Sequence, residues 1–194
     1  MARAAEHAQK VEVKSRADLR TWLAANHGGS DAVWLVTYKK HTAHYLDYPT
    51  LIEELLCWGW IDSVTRKVDD DRTSVLIAPR DPKSAWSAVN KAHVEVARAS
   101  GAMTPAGEAA IAAAQANGMW SFLDDVERLE CPNDLSDALA NARVRNVWED
   151  YPRSVKRGTL EWIKTARTAP TRAKRSTDVA ESAAQGMRPS PFRR

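Results

Sequence analysis

The apolar residues of this chain change their spacing at Trp86. Before it they stand in short β-branched and aromatic runs: residues 33–38, 60–68 and 73–78. After it they recur at helical spacing, as in Leu135/Leu139, Val144/Val147/Trp148 and Leu160/Ile163. Alternating side chains line the two faces of a strand, whereas a period of 3.6 lines one face of a helix. The change therefore predicts an α+β chain. A small, mostly antiparallel sheet of at least three strands (about 33–40, 60–68 and 73–79) is packed by helices and followed by an all-helical C-terminal segment. Asp69-Asp70-Asp71 separates two of the strands and reads as the turn of an antiparallel hairpin.

Capping residues place the helices. Ser15-Arg16-Ala17-Asp18 is a capping box, in which side chains satisfy free backbone donors, and Leu19, Trp22 and Leu23 follow at helical spacing up to Gly28-Gly29. Pro49 suits a helical first turn and precedes the stripe Leu51, Ile52, Leu55 and Leu56. Val89, His93, Val96 and Ala97 mark a helix ending near Gly101, and Thr104-Pro105 opens another that Gly118 closes. Four segments follow from this: a mobile arm over 1–12, an α+β body over 13–130, a helical segment over 131–187, and a disordered Pro/Arg-rich tail over 188–194.

The chain has 194 residues, 44% of them hydrophobic, which is enough for a core without disulfides or metals. Eight Trp stand against two Phe, so bulky rings either fill the core or line a pocket. Cys57 and Cys131 are far apart and suit a reducing compartment. The charged stretch Met1 to Lys14 has no apolar core of a secretory signal, and the longest apolar run, Leu55 to Ile61, is too short to span a bilayer. A cytoplasmic protein without a transmembrane segment is expected. Net charge is +3, but from Tyr151 onward 11 basic residues face 3 acidic ones, leaving 17 basic and 22 acidic in the first 150.

The usual chemical signatures are missing: the sequence contains no phosphate-binding glycine loop, no GxSxG and no HExxH. His41 and His44 share a polar loop without a third ligand. Cys57 lies on an apolar helix face and reads as packing. Asp69 to Asp71 lacks the Gly and bidentate Glu of a calcium loop. No metal, no cofactor and no catalytic residue is expected.

The densest region is Gly59-Trp60-Ile61-Asp62, then Arg66-Lys67, Pro79-Arg80, Ser84-Ala85-Trp86-Ser87-Ala88-Val89-Asn90, and Gly101-Ala102-Met103 with Gly107. Upstream stand Trp34 and Tyr38-Lys39-Lys40; downstream stand Trp162 to Arg167 and Thr171 to Arg175. This succession resembles the YdeI/OmpD-associated, bacteriocin-protection family, with Pro170 standing where that family's pattern has Glu. The resemblance runs from about Val13 to Pro189. It implies a bacterial-type protein tied to tolerance of antimicrobial peptides or envelope stress, and it carries no catalytic assignment.

Read from the residues alone, Lys39, Trp60, Asp62, Arg80, Ser84, Trp86, Ser87 and Asn90 form a candidate cluster at one end of the sheet. It is either a structural polar network or a Trp-lined pocket with a charged floor for a small ligand. In both cases Asp62 is expected to be ionised and paired with Arg80 or Lys39, because a buried carboxylate needs a cation. A non-enzymatic protein that binds an unidentified small molecule or protein partner is the leading expectation; an enzyme using the Trp-lined pocket ranks last. A nucleic-acid role would use Lys164, Arg167, Arg172, Lys174 and Arg175 with the arginines at 188, 193 and 194. Those charges are spread over several helix faces, so no specific nucleic-acid binding is expected. Oligomeric state is open.

Overall fold

The computed structural model describes residues 8–29 and 31–193. Two compact units divide it, residues 1–122 and 123–194. The first unit holds β1 (Lys10–Glu12), α1 (Arg16–Asn26), β2 (Val33–Tyr38), α2 (Tyr48–Cys57), β3 (Trp60–Lys67), β4 (Arg72–Pro79), α3 (Ala88–Ala99) and α4 (Pro105–Ala116). The second holds α5 (Asp124–Glu127), α6 (Asn133–Asn141), α7 (Arg145–Glu149), α8 (Arg153–Lys164), α9 (Ala169–Ala184) and a 3-10 turn, Ser190–Phe192.

The sheet has four strands in the order β1-β2-β4-β3. It is mixed: β1 runs parallel to β2, whereas β2/β4 and β3/β4 are antiparallel. The three strands read from the sequence are present. The fourth, β1, is only three residues long, too short for alternation to announce it, and it occupies part of the stretch read as a mobile arm. The first seven residues of that arm lie outside the described residues. The β3/β4 register slips between Asp62 and Thr65, a bulge that inserts extra backbone into the outer strand.

Val33 to Thr37 of β2 are all buried, and Leu35, with Val75 and Ile77 of β4, joins a core shared with Leu19 and Leu23 of α1 and Leu51, Leu55 and Leu56 of α2. Seven consecutive residues of α2, Leu51 to Cys57, are buried, so this helix is enclosed all round. The Ser15 and Thr104 caps form as read: Ser15 Oγ accepts from the Asp18 amide and Thr104 Oγ1 from Gly107. Asp47, which the sequence reading did not name, caps α2 by accepting from the Thr50 amide. In α3 the buried residues are Val94 and Ala97, and Val89 and Val96 face solvent.

In the second unit Leu135, Leu139, Trp148, Leu160, Ile163 and Val179 are buried. The segment 188–193, within the expected disordered tail, carries the 3-10 turn instead. Ser190 donates its amide to Asp178 Oδ2 at 2.9 Å, which fixes the turn to α9. No helix among the described residues is long and apolar enough to cross a membrane.

Candidate functional site

The structure divides the expected cluster rather than assembling it. Trp60 is 2% exposed, meets Trp22 edge-on at 5.5 Å and donates its indole N–H to the His27 carbonyl, so it belongs to the core. Trp86 is also buried, tilted against Trp120. Ser87 caps α3 by accepting from the Asn90 amide, and Ser84 donates its amide to the Asp81 carbonyl. The Arg80 guanidinium lies 4.0 Å over Trp86 and donates to the Ala85 carbonyl at 2.6 Å. Arg80 Nε is buried without a partner, and burial alone pushes this guanidinium down to about 10.

The expected pairing of Asp62 with Arg80 or Lys39 does not occur. Asp62 accepts from the Tyr48 hydroxyl at 2.5 Å. Lys39 Nζ donates to the backbone carbonyls of Asp69 and Asp70 at 2.6 and 3.0 Å. The reason lies in the register. Tyr38 stands opposite Arg72 and Asp62 opposite Ile77, five residues apart on β4, or roughly 17 Å along the strand. Charges at the ends of different strands were read as neighbours because sequence does not state strand direction.

Lys39 instead shares a slot with Tyr38 and with two rings that the sequence did not single out. Tyr38, Tyr45 and Tyr48 rim a cavity of about 250 Å³, with Leu46, Leu51 and Val75 as its apolar wall and Thr65 and Thr73 on the sheet side. Tyr45 and Tyr48 are 46% and 54% exposed, unusual for rings in a chain whose Trp residues are mostly packed. The rim is built, not loose. The Lys39 amide donates to Asp71 O, Thr42 folds back onto Lys39 O, and Tyr38 and Tyr45 form an isolated bridge. Burial and the bond to Asp62 push the Tyr48 phenol up to about 12. No Trp lines this slot.

A second polar assembly was missed altogether. Glu54 is wholly buried on α2, yet it accepts from Arg16 Nε at 2.9 Å, Arg20 Nη1 at 2.7 Å and Trp58 Nε1 at 3.1 Å. Glu53 takes the other arm of Arg16 at 2.6 Å. Two carboxylates flanked by Leu51-Ile52 and Leu55-Leu56 were the available signal, because a helix apolar on both sides of them must bury them and so must supply cations. Every polar atom of Glu54 is satisfied, which makes this a structural clamp between α1 and α2.

A family model described as a domain of unknown function (DUF8412) matches residues 11–110, which is 100 of the 194 residues. The chain belongs to this family. A second model, described as bacteriocin-protection, YdeI or OmpD-associated, matches residues 128–186. No curated protein and no solved structure matches the chain. The resemblance read from the sequence therefore holds for the helical segment that contains Trp162 to Arg167, whereas Gly59 to Asp62 and Ser84 to Asn90 lie in the DUF8412 range.

The tyrosine slot and the Glu54 clamp both fall within the DUF8412 range, and the YdeI/OmpD-associated match falls wholly within the second unit. In that unit many basic side chains are matched by acids. Lys164 reaches Asp125 at 2.6 Å, Arg172 forks onto Asp134 at 2.9 Å, Arg157 bridges Glu127 and Glu161, and Arg193 lies 3.6 Å from Asp178. Arg175 lies over Trp162 and donates to its carbonyl. Arg172 holds the Asp134 carboxyl below the usual carboxylate range. Among the described residues no group of acidic, His or Cys side chains has the arrangement to hold a metal ion.

Proposed function

We propose that this DUF8412 protein is a cytoplasmic, non-enzymatic binding protein of the antimicrobial-peptide or envelope-stress tolerance type. The observation that carries the reading is the slot under Tyr38, Tyr45 and Tyr48, a preformed apolar recess with exposed rings and polar groups at its mouth. Such concave sites, apolar with a few placed polar groups, are what small ligands and the ends of peptides occupy. The tolerance part follows from the YdeI/OmpD-associated match in the second unit. Two free cysteines, one fully buried, suit a reducing compartment. Of the expected site residues, Lys39 lies at the slot, Asp62 holds Tyr48, Arg80, Trp86, Ser84, Ser87 and Asn90 support the start of α3, and Trp60 packs in the core without a part in the slot.

Filling the slot tests the reading. Thr65→Trp places a large ring against the sheet-side wall. A bacterial host expressing the native chain is expected to survive antimicrobial peptides better than one expressing the filled variant. Equal survival, with both proteins folded and equally abundant, would reject the slot as the working site.

A further inference from the structure

We infer that the slot takes an amphiphilic anion: an apolar group of about the size of one ring or a short alkyl chain, carrying a carboxylate or similar negative head. This rests on the binding reading above and names its ligand class.

The charges around the mouth decide the sign. Acidic residues are plentiful there, and on sequence alone Asp69, Asp70 and Asp71 would cancel the neighbouring lysines. The structure keeps their carboxylates out of the recess. Asp69 is ion-paired with Arg72 at 2.7 Å and Asp70 with Lys67 at 2.8 Å, while Asp71 hydrogen-bonds His41 at 3.0 Å; none of the three lines the recess. Asp62 accepts from the Tyr48 hydroxyl and keeps its charge, but it is not among the residues that line the recess. Lys39 meets only carbonyl oxygens, two of them, and an ammonium has three protons to donate. Lys40, at the exposed end of the same wall, has no carboxylate partner among the described residues. The lining itself therefore holds two ammonium groups, Lys39 and Lys40, and no carboxylate, around a recess that is mostly hydrocarbon and tyrosine ring.

Size sets the other half. About 250 Å³ lies just below the usual range for drug-sized ligands, so the recess suits one apolar group rather than an extended molecule. A cation in the same place would meet Lys39 and Lys40 and lose the attraction that the anion gains. At an effective dielectric between that of water and a protein surface, a charge a few ångströms away changes affinity by roughly tenfold or more.

The test is calorimetric titration of the full chain with 3-phenylpropionate, 3-phenylpropanol and 3-phenylpropylamine, which share one ring and chain and differ only in head charge. Shifts of the Tyr45 and Tyr48 ring resonances report where the ring goes. The expected order is acid tightest, alcohol weaker by roughly tenfold and amine weakest, with the acid's advantage lost in Lys40→Glu. Lys40 is exposed and carries no internal bond, so that variant keeps the fold; Lys39→Met is the companion, with circular dichroism to confirm that its turn is intact. Equal binding of acid, alcohol and amine overturns the ligand class and leaves the slot standing as a site. Binding of the acid that is indifferent to both lysine variants overturns the class as well. Failure of all three compounds to bind overturns the slot reading with it.

Discussion

Gly107 of α4 sits directly against the carbonyl oxygen of Cys57, so close that a β-carbon there would come within 2.4 Å of it. That oxygen already accepts from the Thr104 hydroxyl, which ties the end of α2 to the start of α4. Gly107→Ala cannot be absorbed by a side-chain movement, because the obstacle is backbone. It should lower stability by about 1–3 kcal/mol, read as a reduced urea midpoint at unchanged slope. An unchanged midpoint would mean the two helices separate at little cost.

Breaking the Glu54 clamp should cost more than breaking any surface pair. Glu54→Gln leaves Arg20 without its carboxylate and Arg16 with Glu53 alone, and removing one partner of a buried pair typically costs about 3–5 kcal/mol. Both guanidinium groups are more than a third exposed, at 38% and 39%, and water will recover part of that. A loss of roughly 2–3 kcal/mol is expected. Lys67→Ala, which removes an exposed pair with Asp70, should cost under about 1 kcal/mol. Equal losses in the two variants would contradict the burial of Glu54.

The Tyr48 phenol ionises near 10 in an unfolded chain and is pushed up to about 12 here, first by burial and then by Asp62. The folded chain thus holds the proton more tightly than the unfolded one. Stability from this source is complete below pH about 10 and disappears as pH rises toward about 12. Buried Cys57, pushed up to about 11, adds a loss in the same direction. Melting temperature followed from pH about 8 to 12 should fall more steeply in the native chain than in Tyr48→Phe; parallel curves would sink the assignment. Asp62→Asn retains an acceptor and should cost no more than about 1 kcal/mol.

The paired state of the basic residues in the second unit bears on nucleic acid. Affinity for phosphate comes from releasing many counterions at once, which requires several uncommitted cations on one side. With Lys164, Arg172 and Arg157 each bound to a carboxylate, mixed DNA and RNA probes should show only weak anisotropy changes that vanish near physiological salt. Tight, probe-selective binding at higher salt would restore a nucleic-acid role.

Much of the secondary structure was legible because it rests on local rules. Ser15 and Thr104 caps, the Asp69 to Asp71 turn and the period change at Trp86 are all decided within a few residues. The site was less so, for a physical reason. Whether Lys39 lies near Asp62 depends on which way β2 and β3 run and how they pair, and a single charged residue carries no record of that. Val89, His93, Val96 and Ala97 mark α3 by their spacing, yet the residues it buries are Val94 and Ala97, and Val89 and Val96 face solvent. The tyrosines at 45 and 48 sat in a polar loop and offered no periodic signal.

The slip between Asp62 and Thr65 also limits how a straight strand could lie along the outer side of β3. The sheet order leaves β3 as an outermost strand, with unpaired donors and acceptors on one side. A second chain laid along that margin would match the spacing before the extra backbone or after it, but not both, and it would bring Arg66 and Lys67 against their own counterparts. A net charge of +3 is too small to keep copies apart by long-range repulsion. The two halves of that margin are out of phase with any straight neighbour.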